Sequence, residues 1–216
     1  SSRRRHTRFR NVTGVQTCAL PILGARIEGE GTNTITVHGV SQLHGTEYTV
    51  MPDRLIAGTY LAAAAMTGGD IAVEQIIPDH LDAVIYKLQK MGVQVEVGDD
   101  WLRAISRGPI RSVDIQAIHY PGFPTDLQAV FGALLTQAEG VSTIHERVFE
   151  NRLGYAEELR LMGAEIDIDG QTAYVHGATP LRGAAMRALD IRAGVAVTLA
   201  ATAAQDRKST RLNSSH

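Results

Sequence analysis

Several classes of protein are excluded by what this sequence lacks. Its 216 residues hold one cysteine, Cys18, so neither an internal disulfide nor a cysteine-built zinc site can form within the chain. No apolar run reaches the roughly 18 residues that a membrane helix needs. Aromatic residues are scarce at 5%, yet hydrophobic residues make up 44% and charged residues 20%, with a mean hydropathy of −0.06. That balance excludes a collagen, a mostly disordered chain and a polytopic membrane protein, and it suffices for one large domain or two small ones. A cytoplasmic location is the default for such a composition.

The net charge of −2 hides an asymmetry. Residues 1–23 hold five arginines (Arg3, Arg4, Arg5, Arg8, Arg10) and no acid, and residues 206–216 set Asp206 against Arg207, Lys208 and Arg211. The two ends together carry +7, which leaves −9 on residues 24–205. A core that acidic is poorly suited to binding a phosphate backbone. The amino-terminal stretch has no sustained helical or strand period, and its one apolar piece, Cys18–Leu23, is short and broken by Pro21. A nucleic-acid-binding arm competes with a foreign segment as the reading of residues 1–23. Both ends, SSRRRHTRFRNVTGVQTCALPI in front and DRKSTRLNSSH behind, resemble peptides translated from sequencing-adapter DNA. The expected organisation is a foreign, disordered segment over 1–23, a folded domain over 24–205 and a second such segment over 206–216. Both native ends are then truncated, and Cys18 lies outside the native chemistry.

The middle of the chain repeats itself. The first copy runs from Asp53 through a helix to Gly69, a strand at Ile71–Ile76, a helix from His80 to Met91, Gly92 and a strand at Val93–Val97. The second runs from Asp126 through a helix to Gly140, a strand at Val141–His145, a helix from Arg152 to Met162, Gly163 and a strand at Ala164–Ile168. A third start appears at Asp190 and stops at the carboxy-terminal segment. A period of about 70 residues points to stacked or barrel-arranged supersecondary units.

The two helices of each copy differ. The second is amphipathic, with Leu81, Val84, Ile85, Leu88 and Met91 on one face, Asp79 at the expected N-cap and Gly92 at the stop. The first is apolar nearly all round, as in Leu61–Met66, Ala129–Leu135 and Val195–Ala204, and such a helix is buried on every side. Interior helices with half-exposed, alternating strands outside them give an α/β architecture of βαβαββ units, the third unit incomplete. Hairpins are expected between Val93–Val97 and Trp101–Ile105, and between Ala164–Ile168 and Ala173–His176, the latter turned by Asp169-Gly170.

Each copy opens its buried helix with an aspartate: Asp53, Asp126 and Asp190. Capping is one reading, since an Asp at the N-cap accepts backbone N–H bonds for about 1 kcal/mol. The other reading gathers three helix starts at one end of the domain, where they and Arg54, Arg152 and Arg192 would suit an anionic substrate and a base. Alternatively, the same charges form ion pairs that hold the repeats in register.

Five stretches give the chain a specific likeness: Gly29-Glu30-Gly31-Thr32-Asn33, Met51-Pro52-Asp53-Arg54, Pro121-Gly122-Phe123-Pro124-Thr125-Asp126, Val148-Phe149-Glu150-Asn151-Arg152 and Asp190-Ile191-Arg192-Ala193-Gly194. In this order they resemble the enolpyruvyl transferases, and among them the UDP-N-acetylglucosamine 1-carboxyvinyltransferases of peptidoglycan synthesis. The resemblance spans residues 24–205 and less than half of that family's length. It implies an inside-out α/β barrel of βαβαββ repeats. It also implies transfer of enolpyruvate from phosphoenolpyruvate to the 3-hydroxyl of UDP-N-acetylglucosamine, by addition and elimination through a tetrahedral intermediate, with neither cofactor nor metal. No nucleic acid or membrane enters as a partner.

By that resemblance Asp126 is the general base on the sugar hydroxyl, and Val148 is a backbone contact to the nucleotide sugar. Asp53, Arg54, Glu150, Arg152, Asp190 and Arg192 line the cleft or its framework. A helix start favours a carboxylate's charged form and weakens it as a base, while burial in a closed cleft does the opposite. His119, just before the Pro-Gly-Phe-Pro turn, is read as packing. The proton-donating cysteine loop, the lysine–asparagine pair and the nucleotide-gripping arginines of the family belong to its other domain, absent here. This chain alone is therefore expected to be inactive and to expose apolar surface beside the incomplete third unit. The shikimate-pathway transferase and a non-catalytic ligand-binding paralogue are the competing readings.

Overall fold

The computed structural model describes residues 23–29, 34 and 36–205. Cys18, the residue runs 1–22 and 206–216, and most of the Gly29–Asn33 motif lie outside them. The chain divides into two compact units at Met51–Pro52. In the first, β1 (Arg26–Glu28) pairs antiparallel with β2 (Thr36–His38), and Glu28 accepts from the Arg26 guanidinium at 2.8 Å.

The second unit carries the repeat. Its first copy holds α1 (Arg54–Thr67), β3 (Asp70–Glu74), α2 (Asp82–Lys90), β4 (Gln94–Val97) and β5 (Trp101–Ile105). The short strands β6 (Ile110–Arg111) and β7 (Ile115–Ala117) lead into α3 (Thr125–Leu135), β8 (Ala138–Glu146), α4 (Tyr155–Leu161), β9 (Glu165–Asp169) and β10 (Thr172–Gly177). α5 (Ile191–Ala203) opens the third copy. The two sheets share a plan: β5 lies between β3 and β4, and β10 between β8 and β9, antiparallel in every case. β6 and β7 both run parallel to β8, so β7, α3 and β8 form a crossover. The expected α/β repeat is therefore present, and the Met-Gly stops recur as Gly92 and Gly163, both at positive φ (93° and 96°). Asp169 pairs with Thr172 across the turn predicted at Asp169-Gly170.

α1, α3 and α5 pack on one another in the interior, with the sheets outside. Every residue of α3 from Leu127 to Leu135 is buried. α1 and α5 are less enclosed than expected: Ile56, Tyr60 and Ile191 are exposed on one stripe of each. Among the described residues no helix is long and apolar enough to cross a membrane.

Three local expectations need correction. Asp79 caps nothing, because Pro78 starts a 3-10 turn over Pro78–Leu81 that feeds α2 directly from Leu81. α3 ends at Leu135 rather than near Gly140, because Thr136 turns its hydroxyl onto the Ala133 carbonyl and the chain enters β8 at Ala138. His119 is exposed rather than packed, and its carbonyl accepts from Gly122 N–H within the turn. The packing there belongs to Phe123, buried edge-on against Phe131 at 4.9 Å, which fixes the start of α3.

Candidate functional site

The three helix starts are not equivalent. Asp53 caps α1 by accepting from Leu55 and Ile56 N–H, and Asp190 caps α5 by accepting from Ala193 N–H at 2.8 Å. In α3 the N-cap position is taken by Pro124, which places Asp126 inside the first turn with its side chain free of capping. The capping reading therefore holds for two of the three and fails for Asp126.

Two arginines converge on Asp126 instead. Its Oδ1 accepts from Arg152 Nη1 at 2.9 Å and from Arg192 Nη1 at 3.2 Å. Arg192 also donates through Nη2 to Asp190 Oδ2 at 2.8 Å, so it ties the start of α3 to the start of α5. Among the described residues no hydrogen bond reaches Asp126 Oδ2. The Asp190 carboxyl is held below the usual carboxylate range, first by the Ala193 N–H bond and then by Arg192. The Arg192 guanidinium is correspondingly raised, chiefly by its hydrogen bond to Asp190.

Arg152 is the most enclosed of the three ion-pair partners, with a side chain 15% exposed against 43% for Asp126 and 33% for Arg192. Phe149 stacks under its guanidinium at 3.9 Å, and Thr125 Oγ1 accepts a second bond from Nη1 at 3.0 Å. Thr125 in turn donates to Glu146 Oε2 at 2.6 Å, and Glu146 Oε1 accepts from Val148 N–H at 2.8 Å. A cavity of about 80 Å³ opens beside this cluster, lined in part by Thr125, Gln128, Arg152, Tyr155, Asp190 and Arg192. Gln128 and Tyr155 are buried there, and among the described residues neither the Gln128 amide nitrogen nor the Tyr155 hydroxyl has a hydrogen-bond partner. The Tyr155 phenol is pushed above its ordinary ionisation range by burial first and by the Glu146 charge second.

Thus Asp126, Arg152, Asp190 and Arg192 come together, and Val148 joins them through Glu146. Of the expected site residues, Arg152, Asp190 and Arg192 line the cavity, and Asp53, Arg54, Asp126, Val148 and Glu150 do not; Arg54 lies over the Tyr120 ring at 5.2 Å. Glu150 is exposed and points to none of the cluster's ion pairs. Thr125 entered the sequence reading only as part of the Pro121–Asp126 stretch, and Gln128, Glu146 and Tyr155 went unnoticed. Gln128 carried a signal, as the one polar side chain in the apolar stretch from Leu127 to Leu135. Among the described residues no group of three or more His, Cys, Asp or Glu is arranged to hold a metal ion.

The repeated α/β units thus bring the starts of α3 and α5 together around one carboxylate, Asp126, and two guanidinia, Arg152 and Arg192. The sequence profile described as EPSP synthase (3-phosphoshikimate 1-carboxyvinyltransferase) matches residues 15–216. The chain belongs to this enolpyruvyl (carboxyvinyl) transferase family. Within it, the chain is 46% identical to a UDP-N-acetylglucosamine 1-carboxyvinyltransferase of Desulfofundulus thermocisternus, over 86% of the chain and 77% of that protein. It is 47% identical to UDP-N-acetylglucosamine 1-carboxyvinyltransferase 3 of Caldanaerobacter subterraneus subsp. tengcongensis, over 86% of the chain and 45% of that protein. The chain thus spans less than half the length of several curated relatives it matches. Among solved structures it is similar to the enolpyruvyl transferase NikO from Streptomyces tendae, with a TM-score of 0.73 and 30% identity over 87% of the chain and 46% of that one. An EPSP synthase from Acinetobacter baumannii, 18% identical with a TM-score of 0.65 over 90% of the chain and 49% of that one, shares the fold.

Proposed function

We propose that the complete protein containing this segment transfers enolpyruvate from phosphoenolpyruvate to the 3-hydroxyl of UDP-N-acetylglucosamine, a cytoplasmic step of peptidoglycan synthesis and cell wall biogenesis. The observation that carries this reading is the single carboxylate oxygen of Asp126 held by both Arg152 and Arg192, while the partly exposed side chain keeps Oδ2 without a hydrogen bond among the described residues. Asp126 accepts the proton of the sugar hydroxyl as its oxygen attacks C2 of phosphoenolpyruvate, and C3 takes a proton from a donor outside this segment. The resulting tetrahedral intermediate then loses a proton from C3 as the bond to the phosphate oxygen breaks, giving the enolpyruvyl ether and inorganic phosphate. Arg152 and Arg192 keep their charge at any working pH and face the negative charge that gathers on the departing phosphate. Val148 offers its backbone to the nucleotide sugar, and Asp190 holds Arg192 in place.

Asp53, Arg54 and Glu150 serve as framework of the same cleft in this reading. The cysteine loop, the lysine–asparagine pair and the nucleotide-gripping arginines are sought in the rest of the reading frame. The 216-residue chain by itself is expected to give no turnover. Phosphate release from the complete protein tests the reading, with UDP-N-acetylglucosamine or shikimate 3-phosphate as the acceptor. Turnover with the nucleotide sugar, lowered at least about a hundredfold by Asp126→Asn, supports it. Turnover with shikimate 3-phosphate alone overturns it in favour of the shikimate-pathway reaction, and ligand binding without turnover favours a non-catalytic paralogue.

A further inference from the structure

We infer that Glu146 is a positioning residue that sets the Arg152–Asp126 pair and the Val148 backbone from one buried carboxylate. This deepens the reading proposed above and rests on it. Glu146 ends β8 with 1% of its surface exposed. Among the described residues it makes no ion pair, so three neutral donors satisfy its charge: the Thr125 hydroxyl at 2.6 Å, Val148 N–H at 2.8 Å and Phe149 N–H at 3.3 Å. A buried carboxylate without a cation is costly unless its oxygens are fully bonded, so these donors are held tightly in return.

The consequences run along two branches. On Oε2, the Thr125 hydroxyl must give its proton to Glu146, which turns the Thr125 lone pairs toward Arg152 Nη1 at 3.0 Å. That same Nη1 reaches Asp126 Oδ1 at 2.9 Å. On Oε1, the two backbone donors fix the turn that presents Val148 and places the Phe149 ring under the Arg152 guanidinium. The base, its arginine and the sugar-contacting backbone thereby share one anchor. Replacing Glu146 with glutamine keeps the shape but puts an amide donor against Thr125, and the threonine proton must then turn away.

The test uses the complete transferase and three variants. Thr125→Val cuts only the first branch, so kcat falls at least tenfold while KM for the nucleotide sugar stays within twofold. Thr125→Ser restores most of that loss. Glu146→Gln disturbs both branches and raises KM for the nucleotide sugar several-fold as well as lowering kcat. The inference is overturned if Thr125→Val and Glu146→Gln both leave kcat within twofold, or if Thr125→Val raises KM as much as Glu146→Gln does. If the wild-type protein does not turn over, the reading above fails and the positioning is judged on the 216-residue chain by NMR. There the Val148 and Phe149 amide protons lie downfield and move upfield in Glu146→Gln; unmoved resonances contradict the anchor.

Discussion

Replacing Gly132 with alanine asks how closely the helix that carries Asp126 sits against the helix that follows Arg152. Gly132 is two turns into α3, and an added Cβ would lie 2.5 Å from both Cε2 and the hydroxyl of Tyr155, and 2.7 Å from Cζ. Ordinary carbon contacts lie at about 3.5–4.0 Å, so the ring must retreat by about 1 Å. Tyr155 is 3% exposed at the head of α4, and the small cavity it lines is the space into which its ring can yield. Overpacking of this kind costs about 1–3 kcal/mol, and the gain in helix propensity from Gly to Ala returns up to about 1 kcal/mol. The net expectation is a loss of about 1–2 kcal/mol, which lowers the midpoint by about 2–8 °C in a chain of this size. Thermal unfolding followed by circular dichroism measures it. In a Tyr155→Ala background the clash partner is gone, and Gly132→Ala should be neutral or mildly stabilising. An unchanged or raised midpoint for Gly132→Ala in the wild-type background would refute the close approach of α3 and α4.

Three further outcomes are expected. Asp53→Ala removes the α1 cap and should cost about 1 kcal/mol in urea unfolding, with Asp53→Asn recovering most of it. Because the folded state lowers the Asp190 ionisation, its stabilisation is present above the usual carboxylate range and fades as pH falls through the lowered value. The stability gap between wild type and Asp190→Asn should therefore shrink from pH 6 to pH 3, and a constant gap would contradict it. Tyr155→Phe deletes a buried hydroxyl that has no hydrogen-bond partner among the described residues and should stabilise the chain by about 1 kcal/mol, whereas a loss of that size would mean the hydroxyl is bonded.

Much of the fold was legible in the sequence because its periodicities are strong. The apolar runs at Leu61–Met66 and Ala129–Leu135 had no face to give to water, and the alternating strands between them had one. What escaped the sequence depends on partners far along the chain. Glu146 sits in a His-Glu-Arg triplet that looks like a solvated strand end, and only Thr125, 21 residues away, makes its burial intelligible. Asp126 looked like a cap because Asp53 and Asp190 are caps; Pro124 takes the cap position and leaves Asp126 for Arg152 and Arg192, which lie 26 and 66 residues away. Arg54 directly follows an aspartate in sequence and Arg192 lies two residues beyond one, yet Arg54 lies over Tyr120 rather than joining the cluster.

A crystal structure of the complete protein with UDP-N-acetylglucosamine bound bears most directly on Asp126 as the group that meets the acceptor sugar. The sugar 3-hydroxyl should lie within about 2.6–3.2 Å of Asp126 Oδ2 while Arg152 and Arg192 stay on Oδ1. A sugar whose 3-hydroxyl contacts another group, with Asp126 turned wholly into its two arginines, would contradict the account.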